Sequence, residues 1–187
     1  LLIIDTPGHE SFSNLRTRGS SLCDIAILVV DIMHGLEPQT IESINLLKQR
    51  KCPFVVALNK IDRLFQWQSN PHSDIVNTIK KQKANTRQEF QERVSSVHVQ
   101  FAEQGLNTAL FYENKNPKEF ISLIPTSAHS GDGMGNLMAL ICSLSETFLS
   151  NKVAYSEELQ ATVMEVKEIT GLGTTIDVIL VNGRIRE

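Results

Sequence analysis

The sequence predicts an α/β fold, doubly wound about a parallel sheet, on three observations. Four short apolar runs, Leu1–Asp5, Ile25–Asp31, Phe54–Leu58 and Phe120–Pro125, show little alternation, as strands buried on both faces do. Amphipathic stretches lie between them, and such β-α alternation implies right-handed crossovers. Three of the runs lead into polar motifs, and in open α/β sheets that edge is where ligands bind.

The first run, LLIID, breaks into TPGHE, which reads as a strand whose last residue, Asp5, points into the sheet's edge. The chain starts inside this motif without an initiator Met, so it reads as a fragment. Gln39–Arg50 puts Ile41, Ile44 and Leu47 on one helical face, with Pro38 suited to the first turn. Asn136–Phe148 does the same with Leu137, Leu140, Ile141, Leu144 and Phe148. Ser73–Gly105 is too long for a plain connection and reads as a helical elaboration, with Ser73 as N-cap and Gly105 as stop. Phe90, Val94, Val97 and Phe101 give its second half an apolar stripe. Its Lys80, Lys81, Lys83, Arg87 and Arg93 could meet RNA phosphates. The interspersed Glu89, Glu92 and Glu103 favour a mixed-sign solvated face instead.

After Asn151 the pattern changes. Leu159–Lys167 and Thr174–Val181 are strand-like, and Asn182-Gly183 reads as a tight hairpin turn. The expected division is therefore a domain over residues 1–150, with residues 151–187 starting a β-barrel.

Composition bounds the function. The chain has 187 residues, 41% hydrophobic and 21% charged, with a net charge of −3, which excludes a globally basic nucleic-acid binder. Three scattered cysteines, Cys23, Cys52 and Cys142, argue against a disulfide framework and a zinc site. Cys23 and Cys142 read as small core residues. With no apolar stretch of about 18 residues, no membrane span is expected, and the compartment implied is cytoplasmic. His34, His72 and His98 show no ligand spacing.

Three motifs carry the chemistry. In Asp5-Thr6-Pro7-Gly8-His9, a strand-end carboxylate can hold Mg2+ through water, and the Gly8 N–H can approach a terminal phosphate. In Asn59-Lys60-Ile61-Asp62, the amide and carboxylate can match a guanine edge, and the Lys60 stem can lie along the base. A carboxylate deprived of those donors is penalised, so discrimination against adenine is built in. In Thr126-Ser127-Ala128, a small residue lets the Ala128 N–H approach the guanine carbonyl. The Gly131–Gly135 turn and His129 shape the loop below.

In this order, the motifs resemble the GTPase superfamily, and the D-x-P-G-H form is similar to the translational GTPases. The stretches SFSNLRTRGSSLCDIAILVVDIMHGLEPQT, ALFYENK, PTSAHSGDGMGNL and VMEVKEITGLGTTIDVILVNGRI resemble the subunit-joining initiation factors of that family, essentially end to end. The resemblance implies a P-loop-type GTPase domain, here without its phosphate-binding loop and first strands, followed by the first strands of a β-barrel. It implies GTP/GDP and Mg2+ as ligands and GTP hydrolysis during ribosomal subunit joining. Residue by residue, Asp5 contacts magnesium through water, Gly8 senses the γ-phosphate, and His9 positions the attacking water. Asn59 and Asp62 read guanine, Lys60 stacks on it, and Ser127 and Ala128 complete the pocket. Phe12, Leu15, Arg16 and Arg18 fit a switch helix. The implied partners are the ribosome with its GTPase-activating centre and ribosomal RNA, other initiation factors and initiator tRNA; the implied state is a monomer.

No G-x-x-x-x-G-K-S/T stands in these residues. The chain alone is therefore expected to bind nucleotide poorly and to hydrolyse essentially none. The alternatives are a nucleotide-dead ribosome-binding fragment and another translational GTPase, such as an elongation factor.

Overall fold

The computed structural model describes residues 3–6, 23–150, 157–171 and 173–185. The chain divides into two compact units, Leu1–Thr147 and Phe148–Glu187.

The described part of the first unit is built on a four-stranded sheet. Its elements are β1 (Ala26–Asp31), α1 (Pro38–Arg50), β2 (Phe54–Asn59), α2 (Ile75–Lys81), α3 (Ala84–Glu103), β3 (Thr108–Leu110), β4 (Ile121–Pro125) and α4 (Met134–Phe148, whose last residue falls in the second unit). The order across the sheet is β1-β2-β4-β3, and every pairing is parallel. All four strands therefore present their C-terminal ends along one edge.

Burial explains the order. Alternate residues of β2 face opposite sides: Val56 and Leu58 join a cluster with Ile44 of α1 and with Phe90, Val94, Val97 and Phe101 of α3. Val55 and Ala57 pack with Ile124 of β4 and with Leu137 and Ile141 of α4. β2 is thus covered on both faces, which is why it reads as an unbroken apolar run. β1 differs. Leu28 and Val30 are buried, whereas Ile27 and Val29 on its other face are 42% and 58% exposed.

The helix ends follow local chemistry. Pro38 opens α1, and its C-cap is Lys51 in a left-handed conformation. Asp74, not Ser73, caps α2: its carboxylate accepts from Val76 N at 2.7 Å. The elaboration is two helices, because Gln82 turns extended and its side chain bonds the Gln68 backbone in both directions (2.9 and 2.7 Å). Beyond α3, Gly105 at φ +69 donates to Ala102 O and Leu106 N donates to Phe101 O, the paired bonds of a Schellman stop.

Besides the Ser73 cap, two further expectations are corrected. Ile3–Asp5 forms no strand; Ile3 is 73% exposed, and a strand needs a ladder partner, which the described residues do not supply. Leu1 and Leu2 lie outside the described residues. Cys142 is exposed on α4 and Cys23 only half-buried, so neither is a core residue; Cys52 is the buried one. The mixed-sign face holds in part through structure-bearing side chains: Arg93 donates to Met33 O at 3.0 Å, and Glu89 accepts from Phe65 N at 2.9 Å.

The second unit carries β5 (Gln160–Ile169) and β6 (Gly173–Asn182), paired antiparallel, with a register shift between Val163 and Glu165. After β6, Gly183 sits at φ +83, and a Cβ there would meet the Leu159 backbone. No helix among the described residues is long and apolar enough to cross a membrane.

Candidate functional site

The ends of β2 and β4 are stitched together before any side chain acts. Thr126 N donates to Leu58 O at 2.8 Å, and Ile61 N donates to Thr126 O at 3.3 Å. The chain leaves β2 through Lys60 at φ +69 and enters a short 3-10 turn, Ile61–Arg63, anchored by the fully buried Ile61. That turn places Asp62 beside the segment that follows β4.

The two distant motifs meet there. Ser127 Oγ donates to Asp62 Oδ1 at 2.5 Å, across 65 positions, and Ala128 N donates to Asn59 Oδ1 at 3.0 Å, across 69. Ser127 is fully buried, while Asn59 and Asp62 are half-buried and Ala128 is exposed. A carboxylate offers about four lone-pair sites, so Asp62 retains the capacity to accept two N–H groups from a ligand edge. The Asn59 amide is held in one orientation by the Ala128 bond. For Ala128 N–H to reach a ligand carbonyl, it would exchange that bond.

Lys60 is held from the neighbouring strand. Its ammonium lies 2.8 Å from Asp31 Oδ2, and Asp31 sits opposite Asn59 in the β1–β2 register. Asp31 also accepts from Met33 N at 2.9 Å and contacts His34 Nδ1 at 2.9 Å. Burial pushes the Asp31 carboxyl up, but the bonds to Lys60, His34 and Met33 N prevail and bring it down to about 2.

The loop after β4 is organised by a second carboxylate. Asp132 is fully buried and accepts from Ser130 Oγ (2.7 Å), Asn70 N (2.8 Å) and Trp67 Nε1 (3.0 Å). Burial raises its carboxyl, and these hydrogen bonds outweigh that and lower it. Its own carbonyl accepts from Ser127 N at 2.9 Å. Gly133 follows at φ +71, where a Cβ would run into the Pro125 carbonyl. Only glycine fits that approach.

Asp31 and Asp132 were not singled out from sequence. Asp31 carries the strand-end signature recognised at Asp5, an apolar run closing on a carboxylate before a turn. Asp132 offers only its place between two glycines.

Of the remaining predicted residues, Asp5 is exposed and outside any regular element. It supplies a single carboxylate, and the described residues form no cluster of three metal-ligating side chains. That donor set fits a water-mediated contact to a magnesium ion held chiefly by substrate phosphates. Gly8 and His9, with Phe12, Leu15, Arg16 and Arg18, lie outside the described residues. A separate groove of about 500 Å3, lined by Met33, His34, Glu89, Glu92 and Arg93 among others, opens between the turn after β1 and α3.

Comparison with known proteins agrees with this architecture. The elongation factor Tu GTP binding domain family matches residues 1–147. Eukaryotic translation initiation factor 5B of Homo sapiens is 70% identical over all 187 residues, and that of Saccharomyces cerevisiae is 56% identical. The chain spans only 15% and 19% of the length of these curated relatives. The crystal structure of GDP-bound aIF5B from Aeropyrum pernix superposes with a TM-score of 0.87 at 44% identity, covering 98% of this chain and 31% of that one. The chain thus belongs to the family of the elongation factor Tu GTP binding domain.

Proposed function

We propose that this chain supplies the guanine-recognition half of a GTP-hydrolysing translation initiation factor that acts on the ribosome as its subunits join. The observation that carries the reading is the convergence of Asn59, Asp62, Ser127 and Ala128 where β2 and β4 end side by side. A side-chain amide with its NH2 group uncommitted among the described residues, a carboxylate and a backbone N–H at one sheet edge match the donor and acceptor pattern of guanine. The high identity to initiation factor 5B chains and the GDP-bound archaeal relative favour this reading over an elongation factor.

Within it, Lys60 lays its stem along the base, Asp5 reaches Mg2+ through water, Gly8 meets the γ-phosphate and His9 positions the attacking water. Magnesium, when bound there, would neutralise the negative charge developing on the phosphates. Residues 1–150 act as the nucleotide domain and residues 151–187 begin a β-barrel. Ribosomal RNA, other initiation factors and initiator tRNA are the proposed partners, and the protein acts as a cytoplasmic monomer.

Nucleotide competition tests the reading on the longer factor of which this chain is proposed to be the guanine-recognition half. Asp62→Asn turns a double acceptor into a mixed donor and acceptor. It should weaken GDP binding by about 100-fold or more, with xanthine diphosphate becoming the preferred ligand. Equal affinity of the native protein for GDP and ADP would overturn the proposal.

A further inference from the structure

Cys23 and Cys52 stand 29 positions apart in sequence, yet their sulfur atoms approach to 3.2 Å. The fold brings them together. β1 and β2 run parallel from the pair Ala26–Phe54, and Ala26 N donates to Pro53 O at 2.9 Å. The residues just before each strand are therefore carried side by side. Cys52 is anchored by its N–H donating to Leu47 O at 3.1 Å, and its side chain is buried; Cys23 is half-buried and reachable from solvent. A disulfide places its sulfurs at about 2.05 Å, so closure asks each sulfur to move by roughly half an ångström along their common line.

We propose that Cys23 and Cys52 form a reversible oxidation site, a dithiol that closes to an intrachain disulfide when it meets a peroxide.

The roles follow from exposure and acidity. The hydrogen bond from Cys52 draws the Cys23 thiol down to about 7, against burial and the neighbouring Asp24 carboxylate, which push it up. This favours the Cys23 thiolate, the reactive form. Cys23 is the attacking sulfur and Cys52 the resolving one, the arrangement of redox-sensitive cysteines. The Cys23 thiolate attacks one oxygen of hydrogen peroxide; the O–O bond breaks, and the departing hydroxide takes a proton and leaves as water. Cys23 becomes a sulfenic acid. Cys52 gives up its proton and attacks the Cys23 sulfur; the S–O bond breaks, and the hydroxyl leaves with that proton as a second water. Two thiols lose two electrons, and one peroxide becomes two waters. A small dithiol reductant reverses the bond. Closed, it staples the start of β1 to the start of β2.

The test is graded hydrogen peroxide added to the purified protein at pH 7, followed by alkylation and peptide mass spectrometry. Cys142, exposed on α4, is the internal control. The expected result is a Cys23–Cys52 linked peptide lacking two hydrogens, abolished by dithiothreitol. Failure of that peptide to form at doses that oxidise Cys142 would overturn the site. Cys52→Ala sharpens the roles. As the Cys23 thiol rises toward its ordinary value, its thiolate share falls, and greater intrinsic nucleophilicity recovers only part of the loss. Cys23 oxidation should slow by about threefold and stop at a dimedone-reactive sulfenic acid. An unchanged rate, or no sulfenic acid, would refute the assignment of attacking and resolving sulfurs; the native-protein mapping stands whether or not this variant folds.

Discussion

Two carboxylates flank the candidate guanine site, and both are held below their ordinary range by different means. Asp132 is fully buried and satisfied by neutral donors, a hydroxyl, a backbone amide and an indole. Asp31 stands at the strand edge and is held by an ammonium and an imidazole, the Lys60 and His34 side chains being 43% and 62% exposed. The first arrangement makes the charge part of the architecture, because removing it takes the acceptor from three donors that order the loop. The second leaves an electrostatic tether that water and salt can loosen. One carboxylate organises the loop after β4, and the other holds the Lys60 ammonium from the neighbouring strand.

The most severe break of this comparison is Asp132→Ala. Trp67 Nε1, Asn70 N and Ser130 Oγ all lose an acceptor, so the protein should be destabilised by about 3–4 kcal/mol, measured by urea unfolding at pH 7. A loss under about 1 kcal/mol would mean that the loop finds other partners.

Asp31→Asn should cost less, about 1 kcal/mol after allowing for the solvent around Lys60, with a distinctive pH signature. The folded carboxyl sits at about 2, below its unfolded value near 4. Its stabilisation is complete above about pH 4 and disappears as pH falls toward 2. Native and variant stability curves should therefore differ at pH 6 and converge near pH 2. The gap should narrow in about 1 M salt, whereas the Asp132 effect should persist. The same variant should weaken GDP binding modestly, because the Lys60 stem loses its tether.

The smallest effect belongs to His34→Ala, about 0.3 kcal/mol as befits an exposed pair. A loss above about 1 kcal/mol would mean that the imidazole, and not Lys60, holds Asp31.

Legibility from sequence tracked burial. β2 and β4 are buried on both faces and announced themselves as apolar runs, and the motifs after them could be placed because strand ends are where a parallel sheet presents its residues. β3 spans only three residues and leaves no period to detect. The run Leu1–Asp5 has the composition of a strand, yet composition supplies no ladder partner. Ser73 and Asp74 are both competent caps, and geometry alone selected Asp74. The cysteine pair was invisible because parallel register, not sequence spacing, unites it. Asp31 and Asp132 escaped notice because their importance lies in what they accept, and a sequence does not display donors.

Trp67 is the one tryptophan of this chain, and its indole N–H donates to the Asp132 carboxylate in the loop after β4. Excitation at the red edge of its absorption would make this segment's own emission a report from a single corner of the fold. A quencher series or lifetime record would then follow the loop after β4 as ligand arrives, with no dye attached.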